Sequence, residues 1–494
     1  MDLNRVLRNY ISGQWVEAEN SGFLNVENPS TGEVLTQVPL STASELNRAV
    51  SSAKTAFWEW SRMPVAQRCE LLSNLTNKIY DNREEIARLI SKEMGKSLPD
   101  ARAEVKRVIE NCQVANSMHS LIQGDILTDV SPGIDGEVIR TPIGVFGAIT
   151  PFNFPAMVPF WFLPYALTTG NTFIVKPSER TPMTMQMIFE MIDSCGFPPG
   201  VVNLVNGDKQ VAQAMLEHPD ITGISFVGTS EVCRIVAETC SRTGKRFQAF
   251  GSAKNYLVIM PDAKMDEAVR NMLTSCLGCA GQRCMAASVI ACVGDDVYKK
   301  IVADVVTTAK MVKVGNPLDP ELTNEALVIG PVISARAKER IEHLIRVGID
   351  EGAKLALDGR GIKVKGGEKG HFLGPTILVD AKPGMTVEKT EIFGPVIIMM
   401  KFNSLDEVIQ AINNHRYGNG ASIYTQNGYY ARKFKLETKV GMIGINIGIP
   451  APVAYLPFGG TKDSLYADIK TQGKDIINFF TERKIITERY WPEQ

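Results

Sequence analysis

Cysteine beside arginine, in Gly281-Gln282-Arg283-Cys284-Met285-Ala286, is the stretch of this chain with the plainest capacity for chemistry. An apolar, small-residue run from Met272 to Ala280 precedes it, and a β-type run from Ser288 to Val293 follows. A cysteine between a helix-like and a strand-like segment stands where loops present reactive groups. The adjacent arginine is expected to raise the local positive potential and favour thiolate, the form of cysteine that attacks carbon. The competing reading is a buried cysteine that only packs. Cys276-x-x-Cys279 has no second pair downstream, so a helical core pair is favoured over a zinc or redox site. None of the five histidines lies close in sequence to a cysteine, so nothing supports a cysteine–histidine hydrolase.

The composition sets the frame for that residue. A chain of 494 residues, 44% hydrophobic and 22% charged, has the make-up of an ordinary soluble protein of about two to four domains. A formal net charge of -1 gives no electrostatic footprint for nucleic acid or an anionic membrane. The most apolar stretch, Ala156 to Leu167, is short, is broken by Pro159 and Pro164, and cannot span a bilayer. Met1-Asp2-Leu3-Asn4-Arg5 does not read as a signal or transit segment, and an odd count of nine cysteines argues for a reducing, cytoplasmic setting.

The elements that must position Cys284 follow from periodicity. Short β-like runs fill residues 1–40. Helical patterns then cover Leu46–Arg62, Gln67–Asn82, Glu84–Glu93 and Asp100–Met118, with apolar residues at helical spacing. The last of these carries Lys106, Arg107 and Glu110 among apolar positions; Arg107 could equally be a solvated face residue. Gly124–Arg140 reads as a polar hairpin with little core of its own, expected to project toward a partner subunit.

From Gly144 onward, strands at 144–149, 171–176, 200–205 and 221–227 alternate with helices, the first of them from about Ala156. Such alternation implies right-handed crossovers and a parallel sheet that binds ligands at the carboxyl ends of its strands. Those ends read Thr150–Pro155, Lys176–Arg180 and Gly228–Glu231. A second α/β unit starts near Tyr256, with a helix expected over Met265–Cys279 and the cysteine loop behind it. Gly359–Gly370 reads as an exposed loop. Lys484–Trp491 reads as a terminal strand in need of a neighbour.

Six segments in order, Thr150–Pro155, Lys176–Glu179, Phe226–Ser230, Gly281–Cys284, Glu391–Pro395 and Pro457–Gly460, together resemble the aldehyde dehydrogenase superfamily across essentially the whole chain. Arg283–Ala286, Lys176–Pro182, Ala253-Lys254-Asn255 and Pro450-Ala451-Pro452 look like its CoA-acylating branch, which acts on methylmalonate or malonate semialdehyde. The resemblance implies an α/β fold in three parts. A Rossmann-like NAD domain would take residues 1–122 and 143–253, a catalytic α/β domain 254–447, and a small β oligomerisation arm 123–142 and 478–494. A homodimer or homotetramer is then expected.

The same resemblance implies roles. Cys284 is the nucleophile, and Asn153 with the Cys284 backbone N–H holds the oxyanion. Lys176 and Glu179 meet the adenosine ribose, and Glu391 meets the nicotinamide ribose. Thr150, Phe152, Arg180, Gly228 and Thr229 line the dinucleotide; Phe393 packs near it, and Gly251 lies along its path. A carboxylate at Glu179 would accept from a 2′-hydroxyl and repel a 2′-phosphate, favouring NAD over NADP. Arg283 and Arg107 are candidates for the substrate carboxylate, which guanidinium forks recognise. No metal is implied.

Two departures stand out. Hydrolytic members carry a water-activating glutamate at the position occupied here by Phe250, which cannot move a proton. A thiol ionises more readily than water, so CoA suits a thioester on Cys284. A glutamate from elsewhere could still serve, giving a free acid instead. The second departure is Gly251-Ser252. A binding protein that kept the fold and lost the chemistry is the remaining rival, and the intact Cys284, Asn153, Lys176 and Glu391 speak against it.

Overall fold

A computed structural model describes residues 6–19 and 22–491. The residues Met1–Arg5 and the last three of the expected arm lie outside this range.

Two sheets carry the architecture. The first has eight strands in the order Gln14–Val16, Asn9–Ile11, Val202–Leu204, Thr172–Lys176, Val145–Ile149, Ile221–Val227, Arg246–Phe250, Leu465–Tyr466. Its five central strands are parallel, and every residue of Val145–Ile149 and Thr172–Lys176 is buried, as expected of strands covered on both faces. Among the parallel strands the chain starts at Val145–Ile149 and builds outward to one side through 172 and 202. It then returns to the other side through 221 and 246. Strand order therefore reverses between Ile149 and Val227, which opens a crevice at their carboxyl ends.

The second sheet runs Lys354–Leu357, Thr376–Val379, Val396–Phe402, Ala287–Val293, Asn255–Ile259, Gly420–Tyr424, Met442–Ile445. All of its pairs are parallel except the first. Cys284 stands just before its strand Ala287–Val293.

Helices Ala43–Trp60, Val65–Asp81, Arg83–Met94 and Leu98–Asn116 precede the parallel strands of both sheets. Thr42 and Glu45 form a reciprocal cap on the first, and Ser97 caps the last through the Asp100 N–H. Three expectations change. The helix expected from Ala156 begins only at Leu163, after turns and a short 3₁₀ segment Pro159–Trp161. Pro155, Pro159 and Pro164 each lack the N–H that a continuous helix requires. The helix expected over Met265–Cys279 stops at Leu277, and Cys279 and Ala280 turn left-handed (φ 53° and 54°). Cys276 and Cys279 are thus not a helical pair. Among the described residues no cluster of His, Cys, Asp or Glu could hold a metal ion, and no helix is long and apolar enough to cross a membrane.

The tail finds its neighbour. Thr481–Glu488 pairs antiparallel with Ile134–Pro142, which in turn pairs with Asp125–Ser131, giving a separate three-stranded sheet. Gly359–Gly370 is a largely exposed loop without helix or strand.

Candidate active site

The Gly281–Cys284 loop is held by several long-range contacts. Asn255 Nδ2 donates to the carbonyls of Cys284 (2.8 Å) and Ala286 (2.9 Å), and Asn419 Nδ2 donates to Cys284 O at 3.1 Å. Gln282 Oε1 accepts from the Ile333 N–H at 3.0 Å. Gly281 (φ 72°) packs so closely that an added Cβ would lie 2.0 Å from the Gly394 carbonyl. That contact joins Gly281–Cys284 to Glu391–Pro395, two stretches distant in sequence.

Asn153, buried, donates from Nδ2 to the Gln282 carbonyl at 2.9 Å. A carboxamide has two N–H groups, so one locks the amide to the Gln282 carbonyl and the other is left as a donor in the cavity that Cys284 also lines.

Two cavities meet at Cys284. One, of about 400 Å³, is lined by Asp100, Arg107, Phe154, Trp161, Arg283 and Cys284, and by Ala451 and Pro452. The other, of about 460 Å³, is lined by Phe152, Asn153, Ser178, Gly228, Thr229, Gly251, Glu391, Phe393 and again Cys284. The second lies at the crevice where the first sheet reverses its order. Thr229 there caps the helix Ser230–Arg242 through the Val232 N–H, so a helix N-terminus faces the cavity, a setting suited to phosphate. Phe152 and Phe393 meet edge to face at 5.9 Å. A Cβ on Gly251 would fall 2.6 Å from Ser230 Oγ and 2.7 Å from Asp463 O, so only glycine fits between the sheet and the returning chain.

Thr150, Lys176 and Glu179 sit just outside the lining of that cavity. Thr150 N donates to the Lys176 carbonyl at 3.1 Å, and Lys176 Nζ lies 3.8 Å from Glu179. Arg180 lines neither cavity at Cys284 and is exposed.

Charge at the site differs from the expectation that Arg283 favours thiolate. The Arg283 guanidinium lies against Gly278, donates from Nη2 to Asp100 Oδ1 at 2.6 Å and from Nε to Cys279 Sγ at 3.3 Å. Burial would push the Asp100 carboxyl up, but Arg283 and then Lys96 outweigh it and hold the group below the usual range. Arg283 is therefore neutralised by a partner far away in the sequence. For Cys284, burial and then the Glu391 charge win over the backbone N–H groups and Arg283, and the thiol is pushed up to about 12. Glu391 is itself pushed up to about 7, chiefly by burial, although it accepts from the Ala253 N–H at 3.1 Å. Lys254, buried beside it, is pushed down to about 7. Arg107 pairs with Glu110 on its own helix and lines the Arg283 cavity.

Residues 15–486 match the aldehyde dehydrogenase family. The chain belongs to that family. It is 43% identical over 485 residues to malonate-semialdehyde dehydrogenase 1 of Geobacillus kaustophilus, covering 98% of each chain. Its fold superposes with a TM-score of 0.96 on the crystal structure of methylmalonate-semialdehyde dehydrogenase from Oceanimonas doudoroffii, at 39% identity and 99% coverage of both chains. An NAD⁺ complex of aldehyde dehydrogenase from Bacillus cereus gives a TM-score of 0.93 at 30% identity, covering 99% of this chain and 97% of that one.

Among these aldehyde dehydrogenases, the position of Phe250 bears on what resolves a thioester. Phe250 is buried in an aromatic cluster with Trp161, Phe162 and Phe458 at centroid distances of 6.0–6.2 Å, and it lines neither cavity. Sequence reasoning missed Lys96, Asp100, Glu104, Asn255 and Asn419. Each acts on the site across at least 29 residues of chain, a separation that local patterns do not register. For Asn255 the Ala253-Lys254-Asn255 segment was a signal, though it pointed to a branch rather than to a role.

Proposed function

We propose that this aldehyde dehydrogenase oxidises malonate or methylmalonate semialdehyde with NAD and delivers the decarboxylated acyl group to CoA. One observation carries the reading: Cys284 stands where a cavity bearing two arginines meets one built at the strand-order reversal. The relatives named above point the same way, and nine free thiols suit a cytoplasmic enzyme.

The second cavity and the strand ends beside it suit NAD. The Glu179 and Glu391 carboxylates would accept from ribose hydroxyls, with Lys176 beside the first. The Thr229 helix terminus would face phosphate, with Gly228, Gly251, Phe152 and Phe393 shaping the walls and Thr150 and Arg180 flanking the site. Bound there, NAD supplies a two-electron hydride acceptor.

Arg283 and Arg107 would hold the substrate carboxylate, sharing their forks with Asp100 and Glu110. Cys284 gives up its S–H proton to water, and Sγ then forms a bond to the aldehyde carbon as the carbonyl π pair moves onto oxygen. The developing oxyanion takes hydrogen bonds from the free Asn153 N–H and the Cys284 backbone N–H, each such donor contributing about 2.7–4 kcal/mol to the barrier. Loss of hydride from that carbon leaves a thioester on Cys284. The β-carboxylate leaves as carbon dioxide, its bonding electrons pass into the thioester enolate, and a proton restores the acyl group. The CoA thiolate attacks the carbonyl, and Cys284 departs as thiolate.

Malonate semialdehyde and NAD, with and without CoA, decide the reading. NADH with acetyl-CoA only when CoA is present supports it. Equal turnover without CoA, yielding free acid, overturns it in favour of hydrolysis. Glu391, pushed up to about 7 in the cavity it shares with Cys284, would then be the base, and Glu391→Gln should abolish acid formation.

A further inference from the structure

We infer that Lys96, held by Glu104, is a positioning residue for the Asn153 amide and so for the oxyanion site. This deepens the proposed function and rests on Asn153 serving as an oxyanion donor. Both side chains are fully buried, with Lys96 Nζ 2.6 Å from Glu104 Oε2. Lys96 Nζ also donates to the Asn153 carbonyl at 2.5 Å and sits 3.9 Å from the centre of the Phe154 ring. The other Glu104 oxygen accepts from the N–H groups of Ala156 (2.9 Å) and Met157 (3.0 Å).

The pair is costly for its place. A fully buried ion pair repays its lost hydration only when its hydrogen bonds are complete, and an apolar pair of similar volume is often as stable. Here every bond besides the ion pair itself goes to one segment, Asn153–Met157. That segment has no strand or helix of its own, because Pro155 and Pro159 interrupt helical bonding. Its sequence supplies no internal ladder, so the position of Asn153 must be set from outside. Asn153 Nδ2 fixes one end of the link on Gln282, and Lys96 fixes the other at its carbonyl. Lys96 does not line either cavity at Cys284, so it acts through Asn153 and touches neither substrate nor nucleophile.

Two reactions of Cys284 separate positioning from general structure. Acylation by p-nitrophenyl acetate passes through an oxyanion and needs neither NAD nor a substrate carboxylate. Alkylation by iodoacetamide needs the thiolate but no oxyanion donor. Misplacing a positioned donor by about 1 Å costs on the order of 100-fold, so Lys96→Met should slow the p-nitrophenolate burst by about 10- to 100-fold. Asn153→Ala should do the same, and Lys96→Met should leave alkylation within about twofold of wild type.

The double variant K96M/E104M removes both charges at similar volume and guards against failure to fold. It should show the same selective loss. A wild-type ester burst in the folded double variant, equal losses in both reactions, or no ester burst in the wild-type protein would overturn the inference. The semialdehyde assay stands apart. Free acid formed without CoA would sink the CoA reading while leaving this ester-to-alkylation ratio intact.

Discussion

A thiol pushed up to about 12 is only about one part in 10⁵ ionised at pH 7, so the resting Cys284 is a weak nucleophile. Burial and the Glu391 carboxylate set that value, and the arginine next door does not rescue it because Asp100 already holds the guanidinium. The pH dependence follows in sign. Thiolate is the reactive form, so iodoacetamide labelling of Cys284 in the NAD-free protein should rise about tenfold per pH unit from pH 7 to 10 without levelling. Site-resolved mass spectrometry reads this, and a plateau near pH 8 would contradict the burial argument. Asp100→Asn would leave the Arg283 charge uncompensated near Cys284. Labelling at pH 8 should then quicken by about 3- to 10-fold, and an unchanged rate would mean that Arg283 does not reach the thiol. The Gly281–Cys284 stretch was legible as the candidate for nucleophilic chemistry. The protonation state of Cys284 was not, because burial and the distant Glu391 carboxylate decide it, and Arg283 is already held by Asp100, 183 positions away from it.

Motifs scattered over the chain become one contact surface at the scale of elements. The helix Met265–Leu277 ends at Gly278, and three successive left-handed residues, Cys279, Ala280 and Gly281, lead toward Cys284. Non-glycine residues pay about 1–2 kcal/mol for that conformation, a strain stored next to the site. Gly281 closes against the Gly394 backbone, which brings the Gly281–Cys284 and Glu391–Pro395 stretches to one place. Gly281→Ala meets both obstacles, a positive φ and a carbonyl 2.0 Å from the new Cβ. It should cost about 2–4 kcal/mol in denaturant unfolding and lower kcat more than KM, because Cys284 and Glu391 separate together. A stable variant with wild-type kcat would show that the packing at Gly394 is slack. Periodicity revealed the alternating strands and helices. It could not reveal the kink at Cys279 or the late start of the Leu163–Thr169 helix, since both are set by contacts and prolines rather than by apolar spacing.

At the scale of the whole molecule, the last part of the chain returns twice to strands of its first half or middle. Leu465–Tyr466 closes the edge of the first sheet against Arg246–Phe250. Thr481–Glu488 then leaves for the three-stranded sheet, anchored where Arg246 Nη1 donates to the carbonyls of Asn478, Phe479 and Thr481 at 2.9–3.0 Å. The terminal strand was legible as one lacking a neighbour; the returning strand at 465 was too short to read. Pairing places Ile485 opposite Val138, with Leu127 one row along, so alternation sets all three on one face. Leu127 is 65% exposed and Ile485 76% exposed in the single chain. Exposed apolar side chains beside an open strand edge are a surface that native proteins cover, and a second copy of the chain is the cover expected from the arm; Arg140, Arg483 and Asp125 share that face and would frame the contact. L127E/I485E should therefore lower the mass seen by light scattering toward that of one chain. Cys284 labelling should hold its wild-type rate, since the nucleophile loop is pinned within its own chain. An unchanged mass would place the subunit contact elsewhere. A falling mass with lost labelling would show instead that the assembly shapes the nucleophile loop.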